Sequence, residues 1–391
     1  MKLCIVTHSV VKGNGQGRVN YEITWEAIRR GHHVTLLASQ VASELEKHQQ
    51  INWIPLSVEG VPTELLRNLV FAFNSSKWLR KHRSELDLVK ANGAITFAQG
   101  DVNAVHFVHG SWLKFSSNQN SAPTKKLLNP QQLLDPKKII YNFYQWFYTS
   151  LNANWEKQAF AQAQKVVAVS NKVGEDLVDI GVKPESLQVI LNGVDLEEFV
   201  PGKSDRQKWN LPKDKPVALF AGDIRIPRKN LDTVLHALVK VPELHLAVAG
   251  ITEGSPYLEL AKSLKLSDRV DFLGLRDDVP ELMKAVDFLV FPSRYEPYGL
   301  VVIEAMATGI PVVTASSTGA AALVTPEAGI VIPDCDDVDA LADALQTIAS
   351  NPAIREKMGK EARIIAEQHS WDNMAKTYVN LFEEITEKLI Y

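Results

Sequence analysis

At 391 residues the chain exceeds the usual single-domain length, and 46% hydrophobic with 23% charged residues is the make-up of a folded globular protein, which excludes collagen-like and extensively disordered classes. Its two cysteines, Cys4 and Cys335, are too few for a disulfide scaffold and have no metal-ligand spacing around them. The net charge of −4 divides unevenly: residues 1–190 carry 21 Lys and Arg against 15 Asp and Glu, and residues 191–391 carry 21 against 31, so the first half suits anionic lipid or an acidic substrate if it is more than a solvated surface.

The chain opens MKLCIVTHSV, an apolar run broken at Thr7 and His8 that is too short and too polar for a signal peptide or a membrane span, so a cytosolic location is expected. The run reads as a first strand. GNGQG, residues 13–17, leads into a helix expected over Val19 to Arg30 and closed by Gly31, and its glycines Gly15 and Gly17 let the backbone approach a ligand closely. The spacing is not G-x-G-x-x-G, and the next strand, HVTLLASQ, ends without the acidic residue that would hold a dinucleotide ribose, so NAD binding is disfavoured. AVHFVH, KVVAVS and LQVILNG continue as strands. Ser111 to Asn154 breaks the pattern as an insertion or lid: it holds Pro123, Pro130 and Pro136, Lys125, Lys126, Lys137 and Lys138, and the aromatic run YNFYQWFY at Tyr141 to Tyr148. It holds an acceptor or touches a membrane surface on one reading; packing on its own domain is the favoured one.

A Pro/Lys/Asp-rich stretch from Pro201 to Lys215 precedes a second series of strands, PVALFAG, LHLAVAG, RVDFLGL, DFLVFPS, PVVTAS and GIVIP, with helices expected over Leu231 to Val239 and Asp337 to Ile348. The runs are nearly continuous rather than alternating, as in parallel strands covered on both faces by helices, which makes the class α/β. Because the pattern runs twice, with the changeover near Asn192 and Gly193, two doubly wound domains are predicted, binding ligands at the carboxyl ends of their strands.

The stretch EPYGLVVIEAMATGIPVV carries the most chemistry. Glu304 follows Glu296 by eight residues and lies in a helix, expected to start near Gly299 and Leu300, that is apolar on nearly every side. A carboxylate buried there is costly unless it is paired, by ribose hydroxyls or by a neighbouring donor. The helix start offers free N–H groups to a diphosphate, and Glu296 then faces the sugar. In AGDIRIPRKNLDT, Arg225, Arg228 and Lys229 sit on a loop at a strand's carboxyl end, where they stabilise a leaving phosphate or form a solvated turn. His109 is expected at a first-domain strand end and His106 off the site. PDCDD, residues 333–337, superficially offers an Asp-x-Asp metal site but reads better as a turn with an acidic helix start, and no metal is expected.

The setting FPSxxEPYGLVxxEAMAxGxPVV resembles the signature of glycosyltransferase family four, and VVAVSNKVGEDL, VILNGVDLEEF, RDDVPELMKAVDFLVFPS and HSWDNMAKTYVNLFEEI follow in that family's order, so the resemblance covers nearly the whole chain. It implies the GT-B architecture, two Rossmann-like domains facing across a cleft. Residues 1–190 plus 371–391 would form the acceptor-side domain, the last helix crossing back, and residues 191–370 the nucleotide-sugar-binding domain. It further implies a retaining, metal-independent hexosyltransferase with no cofactor, using a UDP- or GDP-sugar and a glycan, lipid or small-molecule acceptor, without nucleic acid and with possible peripheral membrane contact through the first domain. On the resemblance, Lys229 and Arg225 act on the diphosphate with Arg228 beside them, Glu296 and His109 orient the sugar, Glu304 holds the ribose, and Ser170 has a lesser role, while Asn192 and Gly193, though the family suggests roles for them, read foremost as a turn between the domains. Two departures stand out. Asp223 occupies the place of the family's Arg after Gly222, so Arg225 is expected to substitute, and Ala322 stands where a Glu is usual, leaving Gly319 to contact the diphosphate. A nucleotide-sugar epimerase of the same fold, or a non-catalytic nucleotide-sugar-binding subunit, is the alternative.

Overall fold

The computed structural model describes residues 1–13, 15–118 and 136–388. The chain divides into two compact units, Met1–Asn192 with Trp371–Tyr391, and Gly193–Ser370. In the first, strands β1 (Lys2–Val6), β2 (His33–Ala38), β3 (Ile51–Pro55), β4 (Leu88–Asn92), β5 (Val102–Val105), β6 (Lys165–Ala168) and β7 (Leu187–Val189) make one sheet in the order β3-β2-β1-β4-β5-β6-β7. All its pairings are parallel. In the second, β8 (Val217–Ala221), β9 (His245–Ala249), β10 (Val270–Gly274), β11 (Phe288–Phe291), β12 (Val312–Ala315) and β13 (Gly329–Ile332) run β10-β9-β8-β11-β12-β13, again parallel throughout. Each sheet therefore reverses its strand order beside its first strand, the doubly wound arrangement in which ligands bind outside the carboxyl ends.

The continuous apolar runs lie where both faces are covered: β8, β9, β11 and β12 are buried nearly end to end. Two strands were not announced by such a run. In β4 the run is interrupted by Lys90, which is fully buried; its Nζ donates to Asn20 Oδ1 at 2.6 Å and Asn92 Oδ1 at 2.8 Å, and burial lowers its pKa to about 7. The edge strand β3, INWIP, is only partly buried, short, and ends in a proline, so it does not stand out from its surroundings.

Several boundaries move. The first helix begins at Gly15 rather than Val19 and ends at Arg29, and the strand expected over AVHFVH is β5, which ends at Val105, so that His109 opens the helix His109–Asn118 instead of ending a strand. The last helix, Trp371–Lys388, packs on the first unit, with Glu383 taking 2.7 Å and 2.8 Å hydrogen bonds from Arg30 and with His32.

The aromatic run meets the favoured expectation, packing on its own domain, only in part. It lies in the 27-residue helix Pro136–Gln162. Tyr144 and Tyr148 turn toward the helix Glu64–His82, their hydroxyls accepting from Leu65 N at 3.2 Å and Asn68 Nδ2 at 2.9 Å. Tyr141, Phe143, Trp146 and Phe147 instead remain 61%, 65%, 59% and 45% exposed. The part of the expected lid with Pro123, Pro130, Lys125 and Lys126 lies outside the described residues.

Candidate active site

In the second unit, β8 runs out at Ala221 into a loop that tightens to a 3₁₀ turn over Pro227–Lys229 and enters the helix Leu231–Lys240 through Asn230, at φ 65°. The turn is clamped from below. Arg294, at the end of β11, is buried; it makes two bonds to Asp232, at 3.0 and 2.8 Å, one to Asp336 at 2.7 Å and one to the Pro227 carbonyl at 2.8 Å. Its own N–H and the Ser293 hydroxyl both reach the Arg228 carbonyl at 2.9 Å, and Asn230 Nδ2 donates to the carbonyls of Pro292 and Cys335. So held, the turn presents Lys229 to Glu296, with which it forms an ion pair, while Arg228 Nη1 lies 3.5 Å from the same carboxylate oxygen. Lys229 Nζ also sits 5.1 Å from the Phe291 ring centroid, and burial lowers its pKa against the opposing pull of Glu296.

Arg225 does not join them. Its guanidinium turns to Asp223, with bonds of 2.8 and 2.7 Å, and stays exposed. The expected substitute for the family's arginine is thus engaged by the very residue that stands in its place, and Arg228 is the guanidinium at the cluster. Gly222 precedes this fork with its N–H on the Ala249 carbonyl at 2.9 Å.

Beyond Glu296 the chain turns through Gly299, whose φ of 89° and whose closeness to Thr318 Cγ2, 3.0 Å from an added Cβ, both require glycine. The helix Leu300–Ala307 follows, and the amides of Leu300 and Val301 open it without an acceptor among the described residues. One turn further in, the Glu304 carboxylate has no hydrogen-bond or ion-pair partner among the described residues, and its pKa is raised to about 7 by burial and by the nearby Glu198. No described residue is the neighbouring donor that would have made Glu304 a plain core residue.

Gly319 is placed beside Glu296, but its N–H donates to the Glu296 carbonyl at 2.8 Å and is spent within the protein instead of being offered to a diphosphate. Its predecessor Thr318, which sequence reasoning passed over, has a buried Oγ1 without a partner among the described residues. Of the PDCDD residues, Asp336 pairs with Arg294 and Asp337 caps the helix Val338–Ser350, accepting from the Asp339 and Ala340 amides.

The first unit has its own polar pocket, of about 220 Å³, at the carboxyl ends of β4 and β5. His109 lines it, with Nδ1 2.6 Å from Glu156 Oε1 and its backbone N–H on the other carboxylate oxygen at 2.9 Å. His106, expected off the site, lines the same pocket; its Nε2 is buried without a partner, and burial next to Lys90 lowers its pKa to about 3. Gln16, between Gly15 and Gly17 at the start of the first helix, is also part of the wall. Ser170 serves instead as a helix cap, accepting from Val173 N.

Residues 13–198 match the model of Glycosyltransferase Family 4, and residues 202–364 that of Glycosyl transferases group 1. The D-inositol 3-phosphate glycosyltransferase of Salinispora tropica is 31% identical over 254 residues, 59% of this chain and 52% of that protein. A glycosyltransferase of Methanocaldococcus jannaschii, MJ1607, is 32% identical over 233 residues, 56% of this chain and 60% of its own length. The match thus spans about half to three fifths of these relatives. Among solved structures, sucrose-phosphate synthase from Thermosynechococcus elongatus superposes with a TM-score of 0.76 at 22% identity, covering 99% of both chains. Anabaena HepE in complex with UDP-glucose does so with 0.67 at 22% identity over 98% of this chain and 100% of its own. Two doubly wound parallel sheets in one chain, superposing from end to end on such structures, make the fold GT-B. The chain belongs to the group 1 glycosyltransferases of family four.

Proposed function

We propose that this protein is a retaining, metal-independent hexosyltransferase that moves a sugar from a UDP- or GDP-sugar to a glycan, lipid or small-molecule acceptor, working in the cytosol and reaching a membrane surface through its first unit. One observation carries the reading: Lys229 and Arg228 converge on Glu296 beside the open start of Leu300–Ala307, whose next turn holds the partnerless Glu304. As the glycosidic bond of the donor breaks, negative charge grows on the diphosphate. Lys229, Arg228 and the first amides of that helix are fixed cationic and dipolar donors for it, with little reorganisation needed as the bond breaks. Glu304 accepts from the ribose hydroxyls, and Glu296 from a hydroxyl of the sugar as Lys229 turns to the phosphate. In the first unit His109, its Nδ1 held by Glu156, has Nε2 for a hydroxyl of the transferred sugar or its acceptor. No side chain is assigned as a nucleophile. Attack from the leaving-group face within an ion-pair-like state makes positioning most of the catalysis. The likeness to a protein crystallised with UDP-glucose supports the donor class.

A panel of nucleotide sugars in a thermal-shift assay, followed by an acceptor screen with the best stabiliser in the presence of EDTA, tests this. The expected result is stabilisation by one nucleotide class and a product whose anomeric configuration by NMR equals the donor's. Stabilisation by none of them, an inverted product, or conversion of donor alone to its epimer would overturn it.

A further inference from the structure

The helices Glu64–His82 and Pro136–Gln162 each have two faces of opposite character. Inward, Glu64 and Asn68 from the first and Tyr148, Asn152 and Glu156 from the second line the polar pocket of the first unit. Outward, the first exposes Leu66 and Phe73, and the second exposes Ile140, Phe143, Trp146 and Phe147. Hydrogen bonds from Leu65 to Tyr144 and from Asn68 to Tyr148 hold the two helices side by side, so pocket and apolar surface belong to one structural element. Lys77, Arg80 and Lys81 continue the face of Leu66 and Phe73 at helical spacing, are exposed, and form no ion pair among the described residues. Exposed apolar side chains and cations on one helix face, as Leu66 and Phe73 with Lys77, Arg80 and Lys81, are the composition of a surface that lies in the headgroup region of an anionic bilayer.

The pocket itself is suited to a neutral, hydroxyl-rich group. Its lining has two carboxylates, Glu64 and Glu156, and no lysine or arginine. Among the described residues Asn92 Nδ2 and His106 Nε2 are buried there without partners, and a His106 held neutral by burial exchanges hydrogen bonds with hydroxyls but offers no charge to a phosphate. We infer that the acceptor is a membrane lipid with a neutral polyhydroxylated head, the head entering this pocket while the Phe143, Trp146 and Phe147 face rests on an anionic bilayer. The inference rests on the transferase reading and names its acceptor class.

Two measurements test it. Wild-type protein and the variant Phe143→Ser/Trp146→Ser/Phe147→Ser are sedimented with phosphatidylglycerol–phosphatidylcholine vesicles and with phosphatidylcholine vesicles. Binding to the anionic vesicles that weakens in 0.5 M salt, on the order of tenfold by the screening of surface charge, and that falls at least as far in the variant, is expected. Turnover is then followed with the best-stabilising donor on a monoglycosyl diacylglycerol in those vesicles, on its short-chain water-soluble analogue and on inositol phosphate. The variant should lose turnover on the vesicle acceptor and keep it on the soluble analogue, and inositol phosphate should be the poorest of the three. Absence of vesicle binding, binding equal in the variant, or a preference for inositol phosphate would overturn the inference. Donor stabilisation is measured on the same samples: its loss would sink the transferase reading itself, and its persistence shows the variant folded.

Discussion

Glu304 shows how one side chain couples stability to binding. Its folded pKa of about 7 lies above the ordinary carboxyl value of 4.5, so between those limits the folded state holds the extra proton. Stability therefore falls as pH rises through this window and stays low above it, by up to about 3 kcal/mol for a shift of this size. Glu304→Gln should raise the melting temperature at pH 8 and leave it nearly unchanged at pH 4.5, while weakening nucleotide binding roughly tenfold through the lost charge-assisted bonds. Calorimetry in buffers of different ionisation heat should also find proton release when nucleotide binds the wild type at pH 7, and none in the variant. Uptake, or no linkage in either protein, would remove Glu304 from the ribose. The three loop cations can likewise be told apart. Lys229→Ala should lower kcat/KM by about 10²- to 10³-fold and Arg228→Ala by about tenfold or more, the range for fixed donors at a developing charge. Arg225→Ala, which breaks only an exposed pair with Asp223, should stay within about twofold. A large loss for Arg225→Ala with little for Arg228→Ala would restore the role expected for Arg225.

At the scale of elements, the cations act from a 3₁₀ turn that the chain does not hold up by itself. Arg294 joins the end of β11 to the turn's carbonyls and to Asp232 at the start of the next helix. Arg294→Met leaves Asp232 buried with no cation, a change that costs about 3 to 5 kcal/mol in comparable buried pairs. The melting temperature should drop accordingly in circular dichroism, and kcat should fall more than KM rises, because Lys229 loses its fixed approach. A variant that kept wild-type kcat would show that Lys229 is positioned without the clamp. Gly299 is a second such point, since its backbone conformation and its approach to Thr318 set the start of the helix that faces the site.

Across the whole molecule, what could be read in advance follows from how burial is recorded along a chain. A strand covered on both faces must be apolar at every position, so the long runs announced two parallel α/β sheets, and the Glu296 to Glu304 spacing announced the helix between them. The runs failed only where burial is polar or partial, as in β4, whose Lys90 is satisfied by Asn20 far away in sequence, and in the edge strand β3. Direction and partnership are another matter. Arg225, Arg228 and Lys229 look alike in sequence, and so do the inward and outward aromatics of the helix Pro136–Gln162. Lys229 meets Glu296, 67 positions away, on a turn held by Arg294 through Asp232, 62 positions from it, and by Asn230 through Cys335, 105 from it, whereas Arg225 stays with Asp223 two residues back. A sequence by itself determines which segments must leave water, because that depends on each residue's own chemistry. Only the tertiary structure decides which charge meets which, because Coulombic and hydrogen-bonding partners are chosen by distances that the packed sheets create.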